Sequence, residues 1–396
     1  MAVVGIVAFV LALLASVMLH EAGHFLTARH YGMKASRFFV GFGPTLWSRR
    51  RGETEYGIKA IPAGGFVKIE GMTALEEIDP ADEPRAFYKA PARARLVVLA
   101  AGSFVHFVIA IVLIYAVLVT LGTTRVSETL IGSTSCVPSS TSGECTGPGP
   151  AAAAGVRPGD RIVSFEGTPI ETWDEFTRLV RDHGAGRAEM VVSRDGEQLT
   201  VYPELVEVLR DRETGGPGNH PVGAIGLRVG TETVHYGPLA AVPETFKVIG
   251  TGVAGMYEAL TERIDDISRI FGEDRDPNGF ISVVGAARLG GDVAAAEGSS
   301  WSDRIGNFLI LVAAINLAIG IFNLLPLLPL DGGHIAVLGF EQARHGLRRL
   351  RGYRGPVQRV DFTKLLPATY ATVVILIGFS LIILSADIIN PIRLDQ

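Results

Sequence analysis

The sequence predicts a polytopic α-helical membrane protein with about four transmembrane helices, a cytoplasmic membrane-associated β-loop and one inserted extracytoplasmic α+β domain. Three observations predict it. The 396-residue chain is 48% apolar and only 19% charged, with a mean hydropathy of +0.32, which is too greasy for an average soluble protein. Four segments each carry the roughly 20 mostly apolar residues that a spanning helix needs. Between the second and third lies a long, turn-rich stretch with the alternating pattern of a soluble β domain. The net charge of -5 and the pI near 6.0 leave no basic footprint for nucleic acid.

The spans run from about Val3 to Ala28, Leu96 to Leu121, Ile305 to Leu325 and Leu365 to Leu384. The first has no lysine or arginine before Arg29. It lacks the basic start of a signal peptide and is too long and too continuously apolar to be one. The segment after the third span carries Arg344, Arg348, Arg349, Arg351, Arg354, Arg359 and Lys364 against only Glu341 and Asp361. Arg49, Arg50, Arg51, Arg93 and Arg95 crowd the segment after the first. By the positive-inside rule both face the cytoplasm. Both termini and the long insertion are then expected outside. The expected divisions are a first span over 1–28, a cytoplasmic β-loop region over 29–94, and a second span over 95–121. An extracytoplasmic domain follows over 122–232, then juxtamembrane amphipathic helices over 233–304. The third span is placed at 305–334, a cytoplasmic basic loop at 335–364 and the fourth span at 365–386.

Ionisable groups at membrane depth are costly and tend to be functional. The first span holds His20-Glu21-Ala22-Gly23-His24, an H-E-x-x-H motif. Positions four apart lie on one face of a helix, so His20 and His24 can hold one metal ion, with Glu21 beside them as general base for a water. The motif alone also occurs by chance in soluble helices. A catalytic zinc usually takes three protein ligands. His30 has the wrong spacing. Asp331 is the better third ligand, in Asn323-x-x-Pro326-x-x-Pro329-x-Asp331-Gly332. There the two prolines break the end of the third span, and broken backbone at membrane depth implies a protein-lined or wet cavity. His334 could be a fourth ligand, but a structural role is the expectation. His106 in the second span is expected to make a polar contact between helices, and Asp387 to lie at the membrane interface.

Cys136 and Cys145 are the only cysteines. No C-x-x-C is present, so a cysteine zinc site is not expected. Outside the cell the two could close a short disulfide loop, and the sequence leaves that open. In the insertion, Gly155, Pro158, Gly159, Asp160, Gly167 and Ile170 set out the turn–strand–turn pattern of a PDZ domain. A helix over Trp173 to Arg181 is expected next, then a hairpin around Asp195-Gly196, with Gly223 to Leu227 returning as a groove-edge strand. Such a domain takes peptide ends or loops by β-addition. Ile281 to Gly290 is expected at the membrane surface.

The paired motifs His20-Glu21-x-x-His24 and Asn323-x-x-Pro326-x-x-Pro329-x-Asp331-Gly332 resemble the site-2 protease family of intramembrane metalloproteases, in particular the actinobacterial members of its RseP-type branch. Gly41-Phe42-Gly43-Pro44 with Ile61 to Lys68 is similar to the family's membrane-associated β-loop. The resemblance implies one Zn2+ per chain on His20, His24 and Asp331, with Glu21 activating water and the active site toward the cytoplasmic side. It implies a substrate contact for Asn323, although the amide could equally satisfy a broken helix end. Gly64, Gly65 and Phe66 are candidate substrate-binding residues on a strand edge; the alternative is a solvated hairpin with no such role. It further implies substrates that are single-span proteins in the lipid bilayer, such as membrane-anchored anti-sigma factors already shortened outside. Two other classes compete. A membrane-tethered PDZ scaffold without proteolysis would not need Glu21, and a metal transporter would need ligands repeated along other spans.

Overall fold

The computed structural model describes residues 1–72, 78–137, 147–210, 218, 220–261, 270–272, 275, 279–296 and 300–392. The chain begins with helix α1 (Ala2–His30), strands β1 (Ala35–Arg51) and β2 (Thr54–Ile69), and helix α2 (Ala92–Thr120). Strand β3 (Thr123–Thr134), helix α3 (Pro150–Ala153), strands β4 (Arg161–Phe165) and β5 (Thr168–Pro169), and helix α4 (Trp173–His183) follow. Six strands complete the insertion: β6 (Gly186–Arg187), β7 (Met190–Arg194), β8 (Glu197–Val201), β9 (Glu204–Arg210), β10 (His220–Ala224) and β11 (Leu227–Val234). The chain ends with helices α5 (Pro238–Thr261), α6 (Val283–Ala295), α7 (Trp301–Asn323), α8 (Asp331–Leu350) and α9 (Leu366–Ile389). It divides into two units, Met1–Leu121 with Tyr236–Gln396, and Gly122–His235.

Among the described residues of the first unit, four segments are helical, long and apolar enough to cross a membrane: Ala2–His30, Ala92–Thr120, Trp301–Asn323 and Phe362–Ile389. Much of their apolar surface faces outward, as at Val3, Leu11, Phe104 and Ile375, which a lipid solvent allows. α7 opens on a capping box, with Ser300 and Asp303 satisfying each other's backbone N–H groups. It ends at Asn323, earlier than expected. Leu324 to Leu330 then runs through turns and the cis Leu328–Pro329 bond before α8 begins. Asp331 therefore opens a separate helix rather than closing the span, and much of the expected basic loop over 335–364 is helical. Proline removes a backbone donor and clashes with the preceding turn, so the helix cannot pass Pro326 and Pro329 intact.

β1 and β2 form a long hairpin whose strands fold back on themselves. Phe38 pairs with both Tyr56 and Val67, and Phe39 with both Gly57 and Phe66. Gly64 and Gly65 thus lie within the strand, at its return toward α1, rather than in a free turn. Phe66 stacks on Phe39 with ring centroids 5.6 Å apart.

α6 packs along the first half of α1, with Phe9, Ala286, Ala287 and Val312 in one buried cluster. Asp387, near the end of α9, is 3% exposed. Its carboxylate accepts from Arg275 Nη2 and from the Ser282 backbone N–H, each at 2.6 Å. A buried carboxylate persists when paired and hydrogen-bonded in this way, and here it ties α9 to the start of α6.

The second unit has a sheet in the order β11-β3-β4-β7-β8, with β5 off β4, and a small sheet β10-β9-β6. Its core gathers Ile162, Phe165, Phe176, Val180, Met190 and Val192. α4 is capped by Thr172, which accepts from the Glu175 N–H. Asp160 accepts from Arg194 Nε at 2.7 Å and from the Arg157 N–H at 2.8 Å. Burial pushes this carboxyl up, but those bonds and charges outweigh it and hold it below the usual range. Gly223 to Leu227 is not one strand. β10 ends at Ala224, and Gly226 turns at φ +75° into β11, an edge strand. Cys136 is disulfide-bonded; Cys145 lies outside the described residues.

Candidate metal centre

The site forms in the last third of α1. The helical repeat sets His20 and His24 on one face, and both are buried, at 8% and 4% exposure. Their Nε2 atoms stand 3.1 Å apart. Asp331, in the first turn of α8, brings its Oδ2 to 3.5 Å from His20 Nε2 and 3.3 Å from His24 Nε2. The ligand atoms of these three residues lie within 4.8 Å of one another. The break after Asn323 makes this possible: a span continuing straight would carry Asp331 past the histidines.

The surroundings fit a cation. Asp331 Oδ2 and His20 Nδ1 are buried with no hydrogen-bond partner, a costly state for polar atoms unless something else engages them. Two imidazole nitrogens and a carboxylate oxygen form a set of three protein ligands of the kind catalytic zinc takes, with a position left open. His24 Nδ1 lies 2.7 Å from the Val98 carbonyl. That bond places the proton on Nδ1 and leaves Nε2 free to bind, the usual outer contact of a metal-binding histidine.

Glu21 lies beside the cluster, and its Oε2 accepts from the Val67 backbone N–H at 2.9 Å. The returning segment of β2 is laid against α1 here: a Cβ at Gly65 would stand 2.4 Å from Met18 Sδ. Gly64, Gly65 and Phe66 are therefore brought next to the helix that carries the site. Asn323, at the end of α7, is half-buried with no side-chain hydrogen bond among the described residues. His334 is not in the cluster; its ring lies 5.7 Å from Phe362, and it lines a cavity of about 400 Å³ with Arg95, Leu99 and Glu341. His30 is also outside the cluster, against Tyr31. His106 makes the expected contact between helices, with Nδ1 2.8 Å from Asn316 Oδ1.

Sequence reasoning missed Gly102, Val98 and the Ser16–Asn316 pair. A Cβ at Gly102 would stand 2.4 Å from His24 Nε2 and 2.6 Å from His20 Nε2, so α2 can pass under the ligand atoms only with glycine there. No pattern in a single sequence marks such a close approach. Val98 acts through its backbone, which the side chain does not announce. Asn316 and Ser16 were legible in principle, as polar residues inside spans.

Membrane-length helices with a buried His-His-Asp cluster, one of whose helices also carries a glutamate next to the ligands, define a membrane metallopeptidase. The chain belongs to Peptidase family M50, the site-2 protease family, whose profile matches residues 8–365. It is similar along its whole length to "Zinc metalloprotease Rip1" of Mycobacterium tuberculosis H37Rv, with 45% identity over 414 residues and 100% of each chain covered. Rip1 of Mycolicibacterium smegmatis is 40% identical over 413 residues, with 99% of each covered. The chain is a zinc metalloendopeptidase of a multi-pass membrane class.

Proposed function

We propose that this protein cuts single-span membrane proteins within or beside their transmembrane segments, releasing a fragment that carries a signal. The observation that carries this reading is the convergence of Asp331 on His20 and His24, with Glu21 adjacent, where His20, Glu21 and His24 sit in a helix long and apolar enough to span. A zinc ion held by those three residues supplies Lewis acidity to a peptide carbonyl and lowers the pKa of a neighbouring water. Glu21 takes a proton from the attacking water as its oxygen bonds to the carbonyl carbon. It then gives that proton to the amide nitrogen as the C–N bond breaks. The Val67 N–H anchors Glu21 through Oε2, leaving Oε1 for the water.

A helical substrate hides its amides in its own hydrogen bonds, so it must unwind near the site. The Gly65–Lys68 segment offers a strand beside Glu21 on which an unwound chain can be held by β-addition, with Phe66 giving side-chain contact. Asn323 is assigned to the substrate backbone. The inserted domain is read as a PDZ domain, with a disulfide between Cys136 and Cys145 in its leader, lying outside the cell with both termini. There it rejects substrates that keep a bulky outer domain. The site opens toward the cytoplasm. Membrane-anchored anti-sigma factors, shortened outside by a first protease, fit every one of these constraints.

The size filter has its own test. A single-span substrate with its full outer domain and the same substrate truncated outside are incubated with the reconstituted protein. The truncated form is expected to be cut at least ten times faster. Deletion of the inserted domain is expected to remove the difference; equal rates with the intact enzyme would contradict the filter.

A further inference from the structure

The sheet of β1 and β2 carries a group of arginines that the metal site does not use. Its outer edge is the run from Thr45 to Arg51, which pairs only with the run from Thr54 to Lys59. Alternate residues of a strand share a face, so Trp47, Arg49 and Arg51 project together, with Tyr56 opposite Arg49. They meet Arg29, in the last turn of α1, around one concavity of about 940 Å³, a size that takes small ligands. All three arginines are exposed. None has a carboxylate partner among the described residues: Glu53 is held by Arg85 and Glu55 by Arg37.

The depth of this group points to its partner. α1 has 29 residues, about 43 Å at roughly 1.5 Å each, against a hydrocarbon core of roughly 30 Å. Its last turn, with Arg29, reaches the headgroup layer. The returning run of β2 lies against α1 at Glu21 and at Met18, the latter about 16 Å along the helix from Arg29. That end of the sheet is level with the acyl chains. There Phe42 and Ile61 pair with each other and, with Leu46, are exposed. Toward Arg29 the outer edge passes from Leu46 to Trp47 and then to Arg49 and Arg51. Apolar residues at depth, an aromatic ring next and basic groups outermost is the order of a membrane interface.

We propose that Arg29, Arg49 and Arg51, with Trp47 and Tyr56, form a binding site for the headgroup of an anionic phospholipid. Guanidinium forks match phosphate oxygens in paired hydrogen bonds, and no acid of the sheet competes for them. Leu46 and Phe42 lie beside the acyl chains of the same lipid. The bound lipid ties the outer edge of the sheet to the bilayer, while the opposite edge, Gly65 to Lys68, lies beside Glu21. The inference rests on the sheet and α1 and not on the substrate proposed above.

Trp47 is a built-in probe. The other two tryptophans are Trp173 and Trp301, so full-length protein with Trp173→Phe and Trp301→Phe fluoresces from Trp47 alone. It is reconstituted in vesicles of phosphatidylglycerol and phosphatidylcholine, with one or the other brominated on its acyl chains at the same mole fraction. Brominated phosphatidylglycerol is expected to quench Trp47 at the lower mole fraction. Each arginine at an anionic surface contributes about fivefold, so Arg49→Gln with Arg51→Gln is expected to lower this preference at least about tenfold. Arg49→Lys with Arg51→Lys should keep part of it. Equal quenching by the two lipids, or an unchanged preference in the Gln variant, would overturn the site. Displacement of the lipid by excess inorganic phosphate would overturn the lipid assignment in favour of a free anion. If the Gln variant does not accumulate, the parent protein is read in rising salt. A preference that survives about 1 M salt, where the screening length is about 3 Å, would overturn a headgroup recognised by charge.

Discussion

Glu21→Gln is expected to abolish cleavage while leaving zinc in place. The substitution keeps size and the acceptor for the Val67 N–H, which sits on Oε2 at 2.9 Å, but the amide cannot take a proton from water. General acid–base assistance is worth roughly 10²–10⁴-fold, so the rate should fall at least into that range. Metal content measured on the same preparation should stay at one zinc per chain, because Glu21 is not among the ligand atoms. Loss of zinc together with activity would mean that Glu21 acts in binding and that the proton is moved by another group.

Gly102→Ala is expected to empty the metal site without touching a ligand. The added methyl would meet His20 Cε1 and His24 Nε2 at 2.4 Å each, far inside any contact carbon and nitrogen make. Either α2 shifts away from α1, or the two imidazoles turn from Asp331. Both outcomes break a geometry that a metal needs within about 0.2 Å. The protein should still fold, since overpacking by one methyl costs about 1–3 kcal/mol. It should purify with little zinc and show no cleavage. Zinc content equal to wild type would contradict the placement of α2 beneath the ligands.

The contrast between these two residues shows what the sequence could and could not say. Glu21 was readable because a carboxylate in a span is rare and its neighbours have metal-ligand spacing. Asp331 was readable because two prolines and a carboxylate end a span together, although the sequence placed it within the span and the structure starts a new helix with it. The four spans were legible from length and apolarity, and the end of the third was mislaid because apolar residues continue past the point where proline stops the helix. Gly102 was silent because an absent side chain matters only against a neighbour that sequence does not reveal. The fold-back of β1 and β2 was equally silent: Phe38 and Phe39 each pair with two segments, and alternation along one strand does not report how many partners it has. The packing of α6 was silent too: its small residues, Ala286 and Ala287, look neutral until Phe9 and Val312 are found packed on them.

The central claim is zinc-dependent cleavage inside the membrane, and fragment mapping on a defined substrate tests it most directly. A single-span protein, truncated outside, is reconstituted with the full-length enzyme in vesicles, and the products are weighed by mass spectrometry. The account predicts one main cut within or at the edge of the apolar segment. That cut should be absent with Glu21→Gln or Asp331→Ala, lost on chelation and regained on adding zinc. The same fragments from Glu21→Gln, or cuts confined to the soluble part of the substrate, would contradict it.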